Sequence, residues 1–472
     1  AAGLRLLGLR RGDVLVSQLP QWPEAVQLWY AATLLGLVYV PVIHIYGPAE
    51  LSHIVRDSGA RAAVLPWAWR NFDYPGRIES LRAEADLEHL IVIGETAPAG
   101  CVEWADLMAR AVGQTVDGPD PSVSSADPCL LLYTSGTTSA PKGVIHSSDS
   151  LVAEFAHSAP VLARGPGSVI LDVSPAGHMA SLIGVTRPML AHNNTTLFME
   201  AWDPALAAGL INTYRVTSSG GPPYFLSTLL DQADSAGDPL PSLRDFSLGG
   251  SAVPEEVALR AEHRGITTHR LYGSTEHPTL SCGRLSDELS LRISTDGQLL
   301  PGTSVRIVDD DGNDLDGGEG EILSLGPDLM LGYTDRAASQ LAFDPDGYFR
   351  TGDIGTLSSD GVLKVTGRKK DIIIRGGENL SALEIEEILL RHPAVREAAA
   401  IAVPDPAFVE RVAAVVSLRP NATLSLEDVR KHFTGAGVAR QKTPERLVVL
   451  DDLPHTATGK VMKQELRRRL QE

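Results

Sequence analysis

Cysteine is scarce in this chain. Only Cys101, Cys129 and Cys282 occur among 472 residues, an odd number at wide spacings. That excludes a disulfide framework, and the lack of any CxxC pair excludes the usual thiolate metal site. A reducing, cytoplasmic setting is expected. Positive charge is also in short supply. Lys and Arg number 41 against 59 Asp and Glu, a formal net charge of -18. A chain built mainly to neutralise nucleic-acid phosphates needs clustered cations, so that class is excluded. A locally positive pocket for a small phosphorylated ligand is not. Long hydrophobic runs are missing as well. The most apolar stretch, AVQLWYAATLLGLVYVPVIHIYG from Ala25, is interrupted by Gly36 and Pro41 and contains Gln27 and His44. It predicts a buried helix followed by a strand, not an integral membrane span. No signal-peptide pattern is visible. The chain opens on AAGLRLLGLRRGDVLVSQLP without a Met, as if inside a helix, and a preceding segment is expected to be absent.

What is present is the balance of a globular protein, 43% hydrophobic and 21% charged. At this length two or more domains are expected. Through residue 300, short apolar strands alternate with amphipathic helices, as in DVLVSQLP, PEAVQLWYAATLLG and VYVPVI. That rhythm predicts an α/β fold, with βαβ units around largely parallel sheets. Between 301 and 366 it changes. TSVRIVDDDGNDLDGGEGEILSLG holds two strand-like runs separated by Asp/Gly turns, which predicts a small antiparallel β-unit. Residues 370–472 predict a separate C-terminal α/β domain. Ser381 and Glu384 predict a capping box at a helix start, VREAAAIAVPD and RVAAVVSLRP predict strands, and SLEDVRKHFTG predicts a capped helix ending at Gly435.

Chemistry concentrates in LLYTSGTTSAPKGVIHSS, from Leu131 to Ser148. A strand-like run enters a Gly/Ser/Thr loop and then a single lysine, Lys142. Such a loop offers backbone N–H groups and hydroxyls to an anion, and a lysine beyond it neutralises phosphate charge. The spacing is not GxxxxGK[ST]. By itself a Ser/Thr cluster is more often an ordinary polar turn. Further along, LYGSTEHPT from Leu271 offers an aromatic face suited to a purine, and Glu276 a carboxylate suited to a hard cation. LGGSAVP from Leu248 is glycine-rich. YFRTGDIG contains Asp353, whose carboxylate is able to accept both hydroxyls of a ribose or, more plainly, to cap a turn.

These strings, with GRKKDIIIRGGENLSALEIEE from Gly367 and LPHTATGK from Leu453, resemble in order the motifs of the adenylate-forming superfamily of acyl-CoA synthetases, peptide-synthetase adenylation domains and luciferases. The resemblance spans nearly the whole chain. It implies a large N-terminal domain, 1–369, and a small mobile domain, 370–472, with a hinge at Lys370. It assigns ATP or AMP binding to Thr134, Ser135, Gly136, Thr137, Thr138, Lys142, Gly249, Gly250, Ser251, Tyr272, Gly273, Asp353 and Arg368. Thr275 would reach the α-phosphate and Glu276 would hold Mg2+. Gly376 and Gly377 would border the pantetheine arm of coenzyme A. Lys460 would bridge the carboxylate and α-phosphate, and its acetylation would remove that cation. Ser139 departs from the family's glycine; at positive φ it would cost about 1 kcal/mol.

The resemblance implies ATP, Mg2+ and coenzyme A acting on a small carboxylic acid, in a homodimer. DVSPAGHMASLIG from Asp172 is similar to the family's P-x-x-H element, which would bring His178 to the acyl carboxylate. The corresponding run SPAGHMAS lacks the Asp that amino-acid-activating relatives carry. Candidate pocket residues Ala176, Gly177, Met179, Ala180, Ser181, Gly184, Gly220, Gly221, Pro222 and Pro223 are small or apolar, favouring an uncharged fatty, branched, alicyclic or aromatic acid. Few lysines with abundant Ala, Arg and Asp suggest a bacterial genome rich in GC, where such enzymes serve lipid metabolism. An acyl-AMP ligase that loads a carrier protein, a luciferase-like oxygenase and a non-catalytic nucleotide-binding homologue stay open as alternatives. A carrier-loading insertion is not seen between Gly355 and Leu380.

Overall fold

The computed structural model describes residues 1–84, 86–94, 97–116, 118, 121–134, 141–162, 166–182, 193–251, 253–375, 378–405 and 408–471. They form two compact units. One comprises Ala1–Ser219, Gly273–Thr279 and Gly326–Asp344. The other comprises Gly220–Tyr272, Leu280–Leu325 and Pro345–Glu472.

In the first unit, β1 (Val14–Ser17), β2 (Val38–Pro41), β3 (Ala62–Pro66), β4 (His89–Ile93) and β5 (Val102–Glu103) are joined in parallel. β6 (Pro128–Thr134) runs parallel to β2, and β7 (Lys142–Ser147) folds back antiparallel on β6. The short strand Gly332–Tyr333 closes that edge, so the order is Gly332–Tyr333, β7, β6, β2, β1, β3, β4, β5. Alternate residues serve opposite faces. Leu15, Tyr39, Ala62 and Val64 join one core, while Val16, Val40, Ala63 and Leu65 join another. Both faces are therefore covered, which is why these strands read as unbroken apolar runs. The stretch from Ala25 folds as expected. Pro23 opens the helix Pro23–Leu35, Gly36 ends it at φ 65, and β2 follows. A smaller parallel set packs Val169–Asp172 between Thr195–Phe198 and the strand that starts at Ser218. Among the described residues no helix is long and apolar enough to cross a membrane.

In the second unit, Asp245–Gly249 and Thr267–Tyr272 are parallel, and Ser281–Cys282 returns antiparallel. The small antiparallel β-unit is present as Ser304–Val308, Gly320–Leu325, Phe349–Leu357 and Leu363–Arg368 in that order. The C-terminal α/β part is built on the long hairpin Val395–Asp405 and Val409–Leu418, joined in parallel by Arg446–Leu450. Ala400, Val412, Ala414 and Val416 face the helices Ala382–Leu390 and Leu426–Gly435, while Ala399, Ile401 and Val415 face Leu453 and Leu466.

One local expectation is corrected. At Ser381 only half of the capping box forms. Its hydroxyl accepts from Glu384 N at 3.3 Å, but the Glu384 carboxylate turns to Lys442 Nζ at 2.7 Å, a charged partner stronger than a backbone amide. The helix from Leu426 is capped by Ser425 and ends at Gly435 as expected, and a left-handed glycine follows at Gly437, at φ 68.

Candidate active site

The first unit carries Lys142, Thr134, Thr275, Glu276 and His178. Thr134 ends β6 and lies opposite Lys142, the first residue of β7, in the hairpin register. Ser135, Gly136, Thr137, Thr138 and Ser139 lie outside the described residues, as do Gly184, Gly376 and Gly377. Lys142 Nζ is 5.7 Å from the centroid of the Tyr333 ring, and Tyr333 donates its hydroxyl to Glu276 Oε1 at 2.9 Å. A lysine, a phenol and a carboxylate thus stand in line.

The loop that bears Thr275 and Glu276 is held from several sides. Ser274 N donates to the His277 carbonyl at 2.9 Å, and Ser274 Oγ accepts from the amides of Glu276 and His277. Met330 N donates to the Glu276 carbonyl at 2.8 Å. His146 Nε2 donates to the Thr275 carbonyl at 2.8 Å, and burial lowers the pKa of that imidazole, keeping it neutral. Beneath lies a buried acidic pair. Thr279 donates to Glu154 Oε1 at 2.7 Å, and His277 Nε2 donates to Asp328 Oδ1 at 3.1 Å. Burial pushes the Glu154 carboxyl well above its usual range, the Thr279 bond opposing and the Asp328 charge adding. Burial would raise Asp328 too, but the bond and charge of His277 outweigh it and hold Asp328 low. Glu154 Oε2 and Asp328 Oδ2 are buried with no hydrogen-bond partner among the described residues, and burial with the Asp328 charge favours the protonated form of Glu154.

His178 caps its own short turn, its Nδ1 accepting from Ala180 N at 3.2 Å. Nearby Asp172 is buried and accepts from Gln21 Nε2 at 2.7 Å, Ser181 Oγ at 2.5 Å and Ser174 N at 2.9 Å. Ser181 is thereby bound to Asp172, and Met179 packs in the core with Leu182. Ala176 and Ala180 stay less buried.

The second unit assembles its residues around Asp353. That aspartate is no turn cap. It lies within the strand Phe349–Leu357, paired with Arg368. Tyr272 donates its hydroxyl to Asp353 Oδ2 at 2.8 Å, and Arg368 Nε is 3.0 Å from Oδ1. Burial raises the Asp353 pKa; Arg368, the tyrosine bond, Lys460 and Lys370 all oppose that rise. Burial, then the Asp353 charge, hold the Tyr272 phenol firmly protonated. Gly249 ends the strand Asp245–Gly249, Gly250 follows at φ 80, and Ser251 is exposed. A Cβ on Gly250 would fall 3.2 Å from Lys460 Cε, so the lysine stem crosses that glycine. Gly220 and Gly221 lead into the helix Pro223–Ala236, which Pro222 precedes. Lys370 is the middle residue of the turn Lys369–Asp371; Asp371 is held by Arg467 at 3.0 Å and Lys463 at 3.7 Å.

Among the described residues no group of three or more His, Cys, Asp or Glu is placed to hold a metal ion. A lone carboxylate such as Glu276 fits a hard cation that takes its other oxygen ligands from phosphates and water. Tyr333, His146 and Glu154 are absent from the motif reading. Gly332–Tyr333 alone would have been the signal, and a lone glycine–tyrosine pair carries no chemistry until folding sets it beside Glu276.

Residues 1–334 match the AMP-binding enzyme family, and residues 384–460 match the AMP-binding enzyme C-terminal domain. The chain belongs to the AMP-binding enzyme family. That places it in the adenylate-forming superfamily, with the mixed α/β fold described above. Similar members include the medium-chain fatty-acid–CoA ligase of Escherichia coli, 32% identical over 467 residues, covering 98% of this chain and 82% of that protein. The salicyl-AMP ligase / salicyl-S-ArCP synthetase of Mycobacterium tuberculosis is 32% identical over 478 residues, covering 100% and 83%. Among solved structures, ATP-bound MatB from Rhodopseudomonas palustris superposes with a TM-score of 0.87 at 28% identity, covering 100% of this chain and 92% of that one.

Proposed function

We propose that this AMP-binding enzyme is an acyl-CoA synthetase. It joins a carboxylic acid to coenzyme A at the expense of ATP, releasing AMP and diphosphate. The observation that carries this reading is the cluster of Tyr272, Arg368, Lys460 and Lys370 about Asp353, with the Lys460 stem against Gly250.

In the first half-reaction a carboxylate oxygen attacks the α-phosphorus of ATP. The bond from that phosphorus to the bridging oxygen breaks, and diphosphate leaves. Negative charge spreads over the phosphate oxygens, so preorganised donors and cations matter most. Asp353 accepts the ribose hydroxyls, with Arg368 and Tyr272 holding its carboxylate in place. Lys460 bridges the carboxylate and α-phosphate. Thr275 donates to the α-phosphate, while Lys142 and the loop residues Thr137 and Thr138 serve the diphosphate. Bound Mg2+ would neutralise the phosphate charge, with the Glu276 carboxylate as its protein ligand and Tyr333 orienting that carboxylate.

In the second half-reaction the thiol sulfur attacks the acyl carbon, its proton is lost, and AMP leaves. Lys370 is the hinge at the boundary between 1–369 and 370–472, and Gly376 and Gly377 border the thiol's pantetheine arm. The acid is uncharged beyond its carboxylate, of fatty, branched, alicyclic or aromatic type, and His178 sits at its carboxyl end. The setting is cytoplasmic and the assembly a homodimer, which sedimentation velocity would check.

A second reading replaces coenzyme A with a carrier-protein thiol; the similarity to the salicyl-AMP ligase / salicyl-S-ArCP synthetase favours it. Diphosphate release with ATP, Mg2+ and a panel of acids, with and without coenzyme A, separates the two. Acid-dependent release with acyl-CoA as product is expected. Acid-dependent release without acyl-CoA would favour the carrier, and no release with any acid would overturn both.

A further inference from the structure

We propose that Tyr224 and His455 form a latch that seats Lys460 for adenylation, both acting as positioning residues; this rests on the reading of Lys460 given above. The Lys460 loop is stiff in itself. Leu453 anchors its start in the core with Ala399, Ile401, Val415 and Leu466. Thr456 N donates to the Lys460 carbonyl at 2.8 Å, and Lys460 N donates to Thr456 Oγ1 at 3.1 Å. Those bonds fix the shape of the loop. They do not fix where Lys460 lies relative to Gly250.

That seating comes from the start of the helix Pro223–Ala236. The ring of Tyr224 stacks on the ring of His455, with centroids 4.4 Å apart and planes 29° apart. His455 is itself held, Nε2 donating to Glu397 Oε1 at 2.7 Å on the strand Val395–Asp405. The imidazole is thus a fixed plate on the C-terminal sheet, and Tyr224 is what it rests on. At the other end of the loop, Gly459 runs beside Phe225. A Cβ there would fall 3.4 Å from the phenyl ring and 3.5 Å from Pro222 Cβ. Two consecutive aromatic residues therefore receive residues 455 and 459, the two sides of the loop that delivers Lys460 to Gly250. Tyr224 and His455 are not among the groups assigned to nucleotide binding. A displacement of about 1 Å in a reacting group costs up to ~100-fold in rate, so loss of the stack at one side of the loop is enough to slow the reaction.

The test uses Tyr224→Ala, His455→Ala, Tyr224→Phe and His455→Phe in the full chain. Two rates are measured with whichever of octanoate, indole-3-acetate and salicylate the unmutated protein uses best. One is acid-dependent exchange of pyrophosphate into ATP. The other is thioester formation from supplied acyl-adenylate and coenzyme A. Each Ala variant should lose about tenfold in exchange kcat, the fold-change that a strong aromatic pair represents. Thioester formation should stay within about twofold, which also reports that the variant is folded, and the Phe variants should keep most of the exchange. The double Ala variant should be little worse than either single one, because both remove the same contact. If an Ala variant fails to fold, Tyr224→Leu and His455→Gln carry the same expectation. Equal loss of both half-reactions, or undiminished exchange in the Ala variants, would overturn the latch while leaving the synthetase reading intact. An unmutated protein inert in both assays would instead remove the reading of Lys460, and the latch with it.

Discussion

Replacing Gly273 by alanine adds one methyl group at the entrance to the loop that bears Thr275 and Glu276. An alanine Cβ would lie 1.8 Å from the Pro278 carbonyl oxygen, 2.5 Å from its carbon and 3.0 Å from the His277 carbonyl oxygen. All three are backbone atoms, so no side chain can swing aside. Moving from 1.8 Å to the 3.0 Å at which such contacts begin means that residues 273 and 278 must part by about 1.2 Å. The turn between them is closed by the bond from Ser274 N to the His277 carbonyl and by the two amides on Ser274 Oγ. Opening it strains or breaks these bonds and carries Glu276 away from Tyr333. Overpacking and lost hydrogen bonds together should cost roughly 3 kcal/mol. In a unit of this size that is about 6–12 °C in Tm. A shift of about 1 Å at Thr275 and Glu276 should lower kcat/KM for diphosphate release about 100-fold. Gly265→Ala is the control. Its φ is 75 with open space around it, so it costs only about 1 kcal/mol of backbone strain and should leave the rate unchanged. Calorimetry and diphosphate release on both variants decide the matter. A Gly273→Ala protein that turns over within threefold of the parent would refute the reasoning.

Asp353→Asn removes the charged acceptor shared by Tyr272 and Arg368, and AMP affinity measured by calorimetry should fall about 10- to 100-fold; affinity within twofold would reject the ribose role. Glu154 has a folded pKa raised above its unfolded value, so the folded state holds the extra proton and stability drains away as pH rises from about 4.5 through the folded value. Glu154→Gln cannot ionise, so its Tm relative to the parent should improve between pH 5 and about 8 and level off above, and a pH-independent difference would contradict the raised Glu154 pKa. Lys460→Ala should abolish adenylation yet largely spare thioester formation from supplied acyl-adenylate, whereas Lys370→Pro should do the reverse; equal loss of both steps in both variants would sink the assignment of Lys460 and the hinge.

Much of the molecule is legible along the chain because its signals are local. Apolar runs of four or five residues between helical periodicities mark the buried parallel strands, and Asp/Gly turns mark the antiparallel unit. The phosphate-loop string, YGSTE, the TGD aspartate and the terminal GK motif are contiguous, and each presents one kind of chemistry at one place. What is not legible depends on separation. Tyr333 and Glu276 are 57 residues apart, and His146 and Thr275 are 129 apart. Even local rules yield to tertiary partners, as at Ser381, where Lys442 draws Glu384 away from its cap.

From the sequence alone come the family, the α/β class and the candidate reactive side chains, because these follow from residue type at short spacing. Only the tertiary structure decides how those side chains behave. Asp353 becomes a buried strand residue between a phenol and a guanidinium, Glu154 keeps its proton beside Asp328, and the Lys460 loop is seated by Tyr224. Burial and charge–charge coupling are properties of neighbours in space, and no pattern along the chain encodes which neighbours those will be.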